Sequence, residues 1–169
     1  MPRSSGRETR RMAAEPKGDP VAARIRAFRE ADAAAATEIL RGSPEAAQWT
    51  ELGFRELLGW RGVLALVCEE ERKIIGFVIG RQVAKEAEIL NLAVHLLKRQ
   101  KGEGGELLKA AINELRARRV SRVFLEVRES NAIAIAFYAK YGFSKTGSRA
   151  GYYRNPDEGA IVMERKLAD

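Results

Sequence analysis

The chain has 169 residues, with 30 Lys and Arg against 23 Asp and Glu, and therefore a net charge of +7 at pH 7. This length suits one domain with a substantial core, and no apolar run approaches the length of a membrane span. Cys68 and His95 are the only residues of their kinds, which excludes an intrachain disulfide and a His/Cys metal cluster. Together with a basic N-terminus that lacks an apolar signal segment, this predicts a cytoplasmic protein that uses no metal and no membrane.

The charge is spread over two regions. Residues 1–20 hold five Lys and Arg and three Asp and Glu, and lack apolar periodicity. They are predicted to be a disordered basic tail, while residues 21–169 form a single domain. A basic domain suits an anionic cofactor. Charge alone does not indicate nucleic-acid binding, and we expect none to be required.

The first half of the domain is predicted as a strand, two helices and three strands. Asp32 can cap the first helix, and Gly42-Ser43-Pro44 breaks it. The three strands that follow are separated by short turns, which favours an antiparallel meander. The predicted bounds are a strand near Ile25 to Phe28, helices at 32–40 and 50–58, and strands at 63–68, 73–83 and 86–94.

The second half alternates between helices and strands. Apolar residues recur at helical spacing between Gly104 and Arg118, and Gly142 suits the end of a later helix. The predicted elements are helices at 104–118 and 131–141 and strands at 120–127, 147–153 and 160–166. The whole order is β-α-α-β-β-β-α-β-α-β-β, an α/β chain with a mixed sheet flanked by helices.

The strongest functional signal lies before the helix at 104–118. The apolar strand end Leu92-Ala93-Val94 leads into R-x-x-G-x-G, from Arg99 to Gly104, and then into the helix. Glycines let backbone N–H groups approach a ligand, and a helix N-terminus adds partial positive charge. The spacing matches neither common nucleotide-binding glycine motif. It predicts a phosphate site on the backbone of Gln100 to Gly105, with charge from Lys98, Arg99 and Lys101 at its rim. The alternative is a helix cap with exposed lysines.

Two motifs resemble a known family. The R-x-x-G-x-G unit resembles the acetyl-CoA motif of the GCN5-related N-acetyltransferases (GNAT). The segment L-E-V-R-E-S-N at 125–131, with the later Tyr138, Gly142-Phe143, Tyr152-Tyr153 and the strand at 160–163, is similar to the bacterial ribosomal-protein alanine N-acetyltransferases of that superfamily. The resemblance covers roughly residues 25–167. It implies a GNAT fold with a mixed, mostly antiparallel sheet, acetyl-CoA as co-substrate, and acetyl transfer to the N-terminal amine of a ribosomal protein that begins with Ala.

The chain departs from that family at two points. Leu96-Leu97 stands where the family usually has Pro and an aromatic or polar pair, and this can change the turn before the loop. Glu103 stands where an apolar residue is common. It is expected to place a carboxylate beside the pyrophosphate, a modest electrostatic penalty.

The resemblance assigns cofactor contacts to two segments. Gln100, Lys101, Gly102, Glu103, Gly104 and Gly105 are expected to hold the pyrophosphate. Leu92, Ala93 and Val94 are expected to lie beside the acetyl and pantetheine arm, where the family's strand separates from its neighbour. An N–H near Val94 can stabilise the oxyanion. Asn131 can bond a cofactor amide or cap its own helix.

The catalytic candidates are Glu126 as general base and Tyr138 as general acid. For Glu126 the alternative is a salt bridge with Arg128, and for Tyr138 it is a half-buried aromatic on an amphipathic helix. Trp49, Tyr152 and Tyr153 are expected to line the acceptor groove, although each can be ordinary packing.

Other functions stay open at this point. A GNAT enzyme acting on lysine side chains or on a small-molecule amine is the main alternative, and a non-catalytic acetyl-CoA-binding module is a second. The expected partner is a protein N-terminus, and the expected assembly is a monomer or a weak homodimer.

Overall fold

The computed structural model describes residues 22–167, which form one seven-stranded sheet with helices on both faces. The predicted tail, residues 1–20, lies outside the described residues. The helices are α1 (Ala33–Arg41), α2 (Glu51–Leu58), α3 (Glu103–Ala117) and α4 (Ala132–Lys140). The strands are β1 (Arg24–Ala27), β2 (Val63–Glu70), β3 (Lys73–Val83), β4 (Glu86–Val94), β5 (Arg122–Arg128), β6 (Ser144–Tyr153) and β7 (Glu158–Lys166).

The predicted order of strands and helices is confirmed. β3 and β4 have the predicted bounds, and Thr50 caps α2 by accepting a hydrogen bond from the N–H of Gly53. The largest difference lies in β6, which begins at Ser144 rather than Gly147. Its first residues pair with β7, a contact that the local sequence pattern does not indicate. Two short 3-10 helices, Glu30–Asp32 and Leu96–Lys98, were not predicted.

Asp32 does not cap α1 as the sequence predicted. Its carboxylate makes no side-chain cap bond to that helix. It instead accepts hydrogen bonds from the Arg26 guanidinium at 2.8 and 2.9 Å and from the N–H of Arg29 at 2.8 Å. The carboxylate is therefore turned back toward β1 and fixes the chain that enters the first helix.

The strand order is β1-β2-β3-β4-β5-β7-β6, and only β4 and β5 are parallel neighbours. Their pairing covers Glu86 to Ile89 against Arg122 to Leu125 and then stops. A β-bulge lies at this point on the other side of β4, because Ile79 pairs with Asn91 while Gly80 pairs with Ile89. A bulge bends its strand and increases its twist. The ends of β4 and β5 are therefore separated, and we call this opening the β4–β5 gap.

Two apolar cores cover the two faces of the sheet. On one face α3 buries the residues whose spacing predicted the helix, with Leu107, Leu108 and Leu115 fully enclosed. On the other face α1 and α2 pack around Phe54, whose ring contacts those of Phe28 and Phe77. Among the helices of residues 22–167, none is long and apolar enough to cross a membrane.

Candidate active site

A cleft of about 800 Å³ lies at the β4–β5 gap. Its lining comes from the ends of β4 and β5, the loop before α3, the inner face of α4, and the loop between α1 and α2. Ligands of α/β sheets commonly bind outside the carboxyl ends of parallel strands, where the strand order changes. The one parallel pair of this sheet opens at that position.

The end of β4 turns backbone polar groups into the gap. The N–H of His95 donates to the carbonyl of Ile75 on β3 at 2.8 Å. Because backbone groups of successive strand residues point to opposite neighbours, those of Val94 and Leu92 point away from β3. With β5 withdrawn, they face the cleft, which both residues line. The predicted separation of this strand from its neighbour is therefore present.

The glycine-rich loop and the start of α3 form an open cradle beside this strand end. Gln100 and Gly102 both have positive φ, at +61° and +103°. A Cβ built on Gly102 would meet no atom within 4 Å. The first N–H groups of α3 have no partner within the helix, and they carry its positive dipole end. The lining includes Gln100, Gly102, Gly104 and Gly105, a donor arrangement suited to a phosphate.

The two glycines at the start of α3 meet different surroundings. A Cβ on Gly105 would lie 1.9 Å from the hydroxyl oxygen of Tyr141, so this position has no room for a side chain. A Cβ on Gly104 would lie 3.5 Å from Val94 and 3.7 Å from Phe137, which is ordinary contact. Gly105 therefore leaves room for the Tyr141 ring at the end of α4, whereas a side chain at Gly104 would lie between Val94 and Phe137.

Two of the three basic side chains of the loop, those of Lys98 and Arg99, line the cleft as the sequence predicted, but both are paired with other groups of the protein. Lys98 pairs with Glu70 on β2. Arg99 bonds the carbonyls of Val94 and Gly42, both at 3.1 Å. Lys101 is exposed and does not border the cleft. The cradle thus depends on backbone N–H groups and the helix dipole more than on side-chain charge.

Glu103 does not place its carboxylate in the cleft. One carboxylate oxygen is buried without a hydrogen-bond partner, and the residue is absent from the cleft lining. It faces the β2 side of the sheet instead: burial, with a contribution from the Glu103 charge, raises the pKa of the Cys68 thiol to about 11. The expected repulsion of a pyrophosphate by this side chain is correspondingly reduced.

Glu126 lines the cleft, and its partner is Arg149 of β6 rather than Arg128. The Arg149 guanidinium donates to the Glu126 carboxylate at 2.6 Å, whereas Arg128 pairs with Glu158 at 2.8 Å. Burial, and then the charge of the nearby Glu126, raise the pKa of Glu88 on β4. The sequence did not predict a role for Glu88 or Arg149, since nothing local to either residue indicates that its side chain lies near Glu126.

Tyr138 lies in the cleft lining on the other side of the sheet. Leu125 and Val127 are buried beneath α3 with Tyr138, so Glu126, between them, points to the opposite face. The Tyr138 ring packs against Phe137 and Phe143. Burial, and then the nearby Tyr153, raise the pKa of the phenol, which keeps it protonated at neutral pH. The two catalytic candidates thus border the gap from opposite faces.

The remaining predicted residues divide into two groups. Asn131 caps α4 by accepting from the N–H of Ala134 at 3.1 Å, and it also lines the cleft, as does Tyr153. Tyr152 lies outside the lining, but Arg149 stacks on its ring and interaction with Glu126 raises its pKa. Trp49 does not reach the cleft. Its ring packs edge-on against Phe54 in the core beneath α1 and α2.

The sequence profile of a known family identifies the class of protein to which this fold and cleft belong. The sequence profile of the acetyltransferase (GNAT) family matches residues 33–143, which include α1 to α4 and the glycine-rich loop. The chain belongs to this family and is an N-acetyltransferase.

Two relatives within this family are named for a particular acetyltransfer reaction. The chain is 41% identical over 103 residues, 59% of its length and 71% of the relative's, to the ribosomal protein bS18-alanine N-acetyltransferase of Haemophilus ducreyi. It is 38% identical over 117 residues, 68% of its length and 78% of the relative's, to the enzyme of that name from Escherichia coli K12.

Solved structures agree with the sequence comparison. The ribosomal-protein-S18-alanine N-acetyltransferase from Escherichia coli matches with a TM-score of 0.78 and 32% identity, over 88% of this chain and 96% of that one. Ard1 from Thermoplasma volcanium matches with a TM-score of 0.80 and 31% identity, over 88% of this chain and 100% of that one.

Proposed function

We propose that the protein transfers the acetyl group of acetyl-CoA to the N-terminal α-amine of a ribosomal protein of the bS18 type that begins with Ala. The observation that carries the proposal is the placement of Glu126 and Tyr138 in the lining of one cleft. Both belong to the segment that resembles the alanine acetyltransferases. The two relatives described above, which are named for this reaction, are 41% and 38% identical to the chain over 103 and 117 aligned residues.

The cleft fits acetyl-CoA. GNAT acetyltransferases use this co-substrate, whose thioester supplies an electrophilic acyl carbon and a thiolate leaving group. The N–H groups between Gln100 and Gly105 would hold its pyrophosphate, and the open space at Gly102 leaves room for that approach. The backbone groups of Leu92, which line the same cleft, would bond its amide groups. Asn131, at the start of α4, lies where its side chain can add a further hydrogen bond.

Glu126 serves as the general base in this proposal. A free α-amine has a pKa near ~8, so much of it is protonated at neutral pH and cannot attack a thioester. The Glu126 carboxylate accepts that proton, directly or through one water. Its only charged hydrogen-bond partner in residues 22–167 is Arg149, whose side chain is 54% exposed and free to move aside for an incoming ammonium.

Tyr138 serves as the general acid. Its phenol is kept neutral by burial, so it can donate a hydrogen bond and then a proton to the departing sulfur. The N–H of Val94 faces the gap and is the donor for the negative oxygen that develops on the acyl carbon. Base and acid act from the two faces of the sheet, with the acyl group between them.

The deciding experiment is CoA release from acetyl-CoA with a peptide that begins Ala-Arg-Tyr-Phe, beside the same peptide with a blocked N-terminus. Release with the free peptide alone supports α-amine transfer. A third peptide, blocked at its N-terminus and containing a lysine, tests for side-chain acetylation, which has to overcome an amine pKa of ~10.4. Equal release with this third peptide would indicate that the enzyme acetylates lysine side chains. Release with neither peptide would refute the proposed acceptor.

Glu126→Gln tests the base. The variant is expected to lose most activity near pH 6, where the amine carries its proton, and to approach the parent as the pH rises above ~8. Pre-steady-state acetylation rates between pH 6 and 9 measure this. A loss that is equal at every pH would show that Glu126 does not act as the base.

A further inference from the structure

The loop between α1 and α2, residues 42–50, supplies one wall of the cleft although most of it is neither helix nor strand. Ser43, Glu45, Ala46 and Ala47 all border the cleft. Irregular segments keep a fixed place only when side chains or neighbouring backbone bond them. Two side chains from the β4 side of the site do so.

Arg99 is the first of the two. Its guanidinium bonds the carbonyl of Gly42 at 3.1 Å and the hydroxyl of Ser43 at 2.6 Å, and it pairs with Glu45 at 3.1 Å. The same side chain bonds the carbonyl of Val94 at 3.1 Å. It therefore connects the end of β4 to the loop across the cleft. Ser43 is 1% exposed, so its bond with Arg99 is protected from water.

Asn91 is the second. Its side chain is buried, and its amide donates to the carbonyl of Ala47 at 2.9 Å. Asn91 follows the bulge in β4, and it alternates with Leu92, whose side chain packs toward α3. The Asn91 side chain therefore points to the α1–α2 face of the sheet. Glu126 faces that same side, so the loop and the proposed base border the route by which an amine would enter.

We infer that Arg99 and Asn91 are positioning residues that hold the α1–α2 loop against β4 and thereby set the affinity for the acceptor peptide. The inference rests on the proposed function, because it assigns the loop wall to the acceptor. It gives Arg99 a role different from the phosphate contact that its place in R-x-x-G-x-G predicts. Although Arg99 lines the cleft, its guanidinium is bonded by four oxygens of β4 and the loop, and these bonds would have to break before it could turn to a phosphate.

Four variants separate these roles: Arg99→Gln, Arg99→Lys, Asn91→Ala and the control Arg41→Gln. Arg41 adjoins the same loop, but its side chain pairs with Glu38 on the exposed face of α1. Arg99→Gln and Asn91→Ala are expected to raise the acceptor KM about tenfold, as for loss of a hydrogen bond to a buried or charged partner. Their Kd for acetyl-CoA should change less than about twofold, and Arg99→Lys should recover part of the loss.

Two kinetic results would overturn the inference. One is an Arg99→Gln variant that binds acetyl-CoA more weakly while its acceptor KM is unchanged, which would return Arg99 to the phosphates. The other is an unchanged KM in both loop variants. Hydrogen exchange of the amides at 42–49 provides a readout that needs no turnover. If the parent acetylates no Ala peptide but both variants exchange faster there, the proposed acceptor fails while the loop contacts stand. Unchanged exchange would refute the contacts themselves.

Discussion

At the scale of single residues, Tyr138 offers the most specific test of the proposed mechanism. It is buried among aromatic rings, and burial raises its pKa. Tyr138→Phe keeps the ring and removes only the proton donor. We expect kcat to fall by roughly 10²–10⁴, the usual scale of a lost general acid, with an unchanged Kd for acetyl-CoA. Steady-state rates beside calorimetric binding measure both quantities, and an unaltered kcat would remove Tyr138 from the chemistry.

Asp32 gives a pH-dependent prediction. Burial opposes its charge, but hydrogen bonds from Arg26 and from the N–H of Arg29 outweigh burial and lower its pKa in the folded chain. The ionised form therefore stabilises the fold above the unfolded pKa of ~3.9, and that stabilisation is lost as the pH falls through the lower folded value. Asp32→Asn should cost about 1–3 kcal/mol at pH 7 and progressively less below about pH 4.

Urea unfolding of the parent and Asp32→Asn at pH 7 and pH 3 measures that difference. Glu30→Gln, in the same turn but exposed, is the matched control and should change little at either pH. A cost for Asp32→Asn that is the same at both pH values would mean that the lost contact is not one of charge.

The limits of prediction also appear at this scale. The placement of Glu126 and Tyr138 at the cleft could be predicted, because each lies in a short segment whose residues resemble a family motif. The Arg149 partner of Glu126 could not, because β6 reaches this position only after β7 has inserted between β5 and β6. Arg99 was correctly placed near the cofactor loop, yet its direction depends on where the α1–α2 loop lies. Such contacts follow from tertiary arrangement, which a local pattern does not contain.

At the scale of elements, the packing of α3 against the residue that ends α4, Tyr141, depends on Gly105. A Cβ at Gly105 would lie 1.9 Å from the Tyr141 hydroxyl oxygen and 2.8 Å from the ring carbon that bears it. Gly105→Ala forces the Tyr141 ring to move, and we expect a loss of about 1–3 kcal/mol in the free energy of unfolding. Adding Tyr141→Phe removes the closer contact and should restore part of it. Denaturant unfolding of the single and double variants tests this coupling.

Gly104→Ala is the natural comparison, because its Cβ would meet only ordinary contacts. It should be tolerated or slightly stabilising, because Ala has a higher helix propensity than Gly. An equal loss at both positions would show that the Tyr141 contact is not the cause. The sequence predicted the helix and shows both glycines at its start. Which glycine serves packing could not be predicted, because that depends on Tyr141, just after α4 and 36 positions later in the chain (141 − 105).

The β4–β5 gap likewise combines predictable and unpredictable features. Both strands were expected from their apolar runs, and the resemblance implied that they separate. The physical cause is a bulge around Leu90, which the register with β3 reveals. No glycine or proline lies at Leu90 or beside it to mark that bulge. Strand identity follows from periodicity, whereas register and bulges follow from pairing.

At the scale of the whole molecule, the cleft joins both cores, so a bound cofactor should stabilise the entire fold. The lining residues come from α4 and β5 as well as β4 and the loop before α3. A ligand that binds only the folded chain at one hundred times its Kd adds about 2.7 kcal/mol. For a domain of this size that corresponds to a rise in Tm of roughly 5–11 °C.

Gly104→Val is the control for the predicted rise in Tm with acetyl-CoA. The first side-chain carbon fits at ordinary distances, so the fold should remain. The two further methyl groups have to occupy the cleft between Val94 and Phe137, where the cofactor would lie. We expect a Tm close to that of the parent without acetyl-CoA and little or no rise when it is added. Thermal unfolding with increasing acetyl-CoA measures this, and a full rise in Gly104→Val would place the cofactor elsewhere than the start of α3.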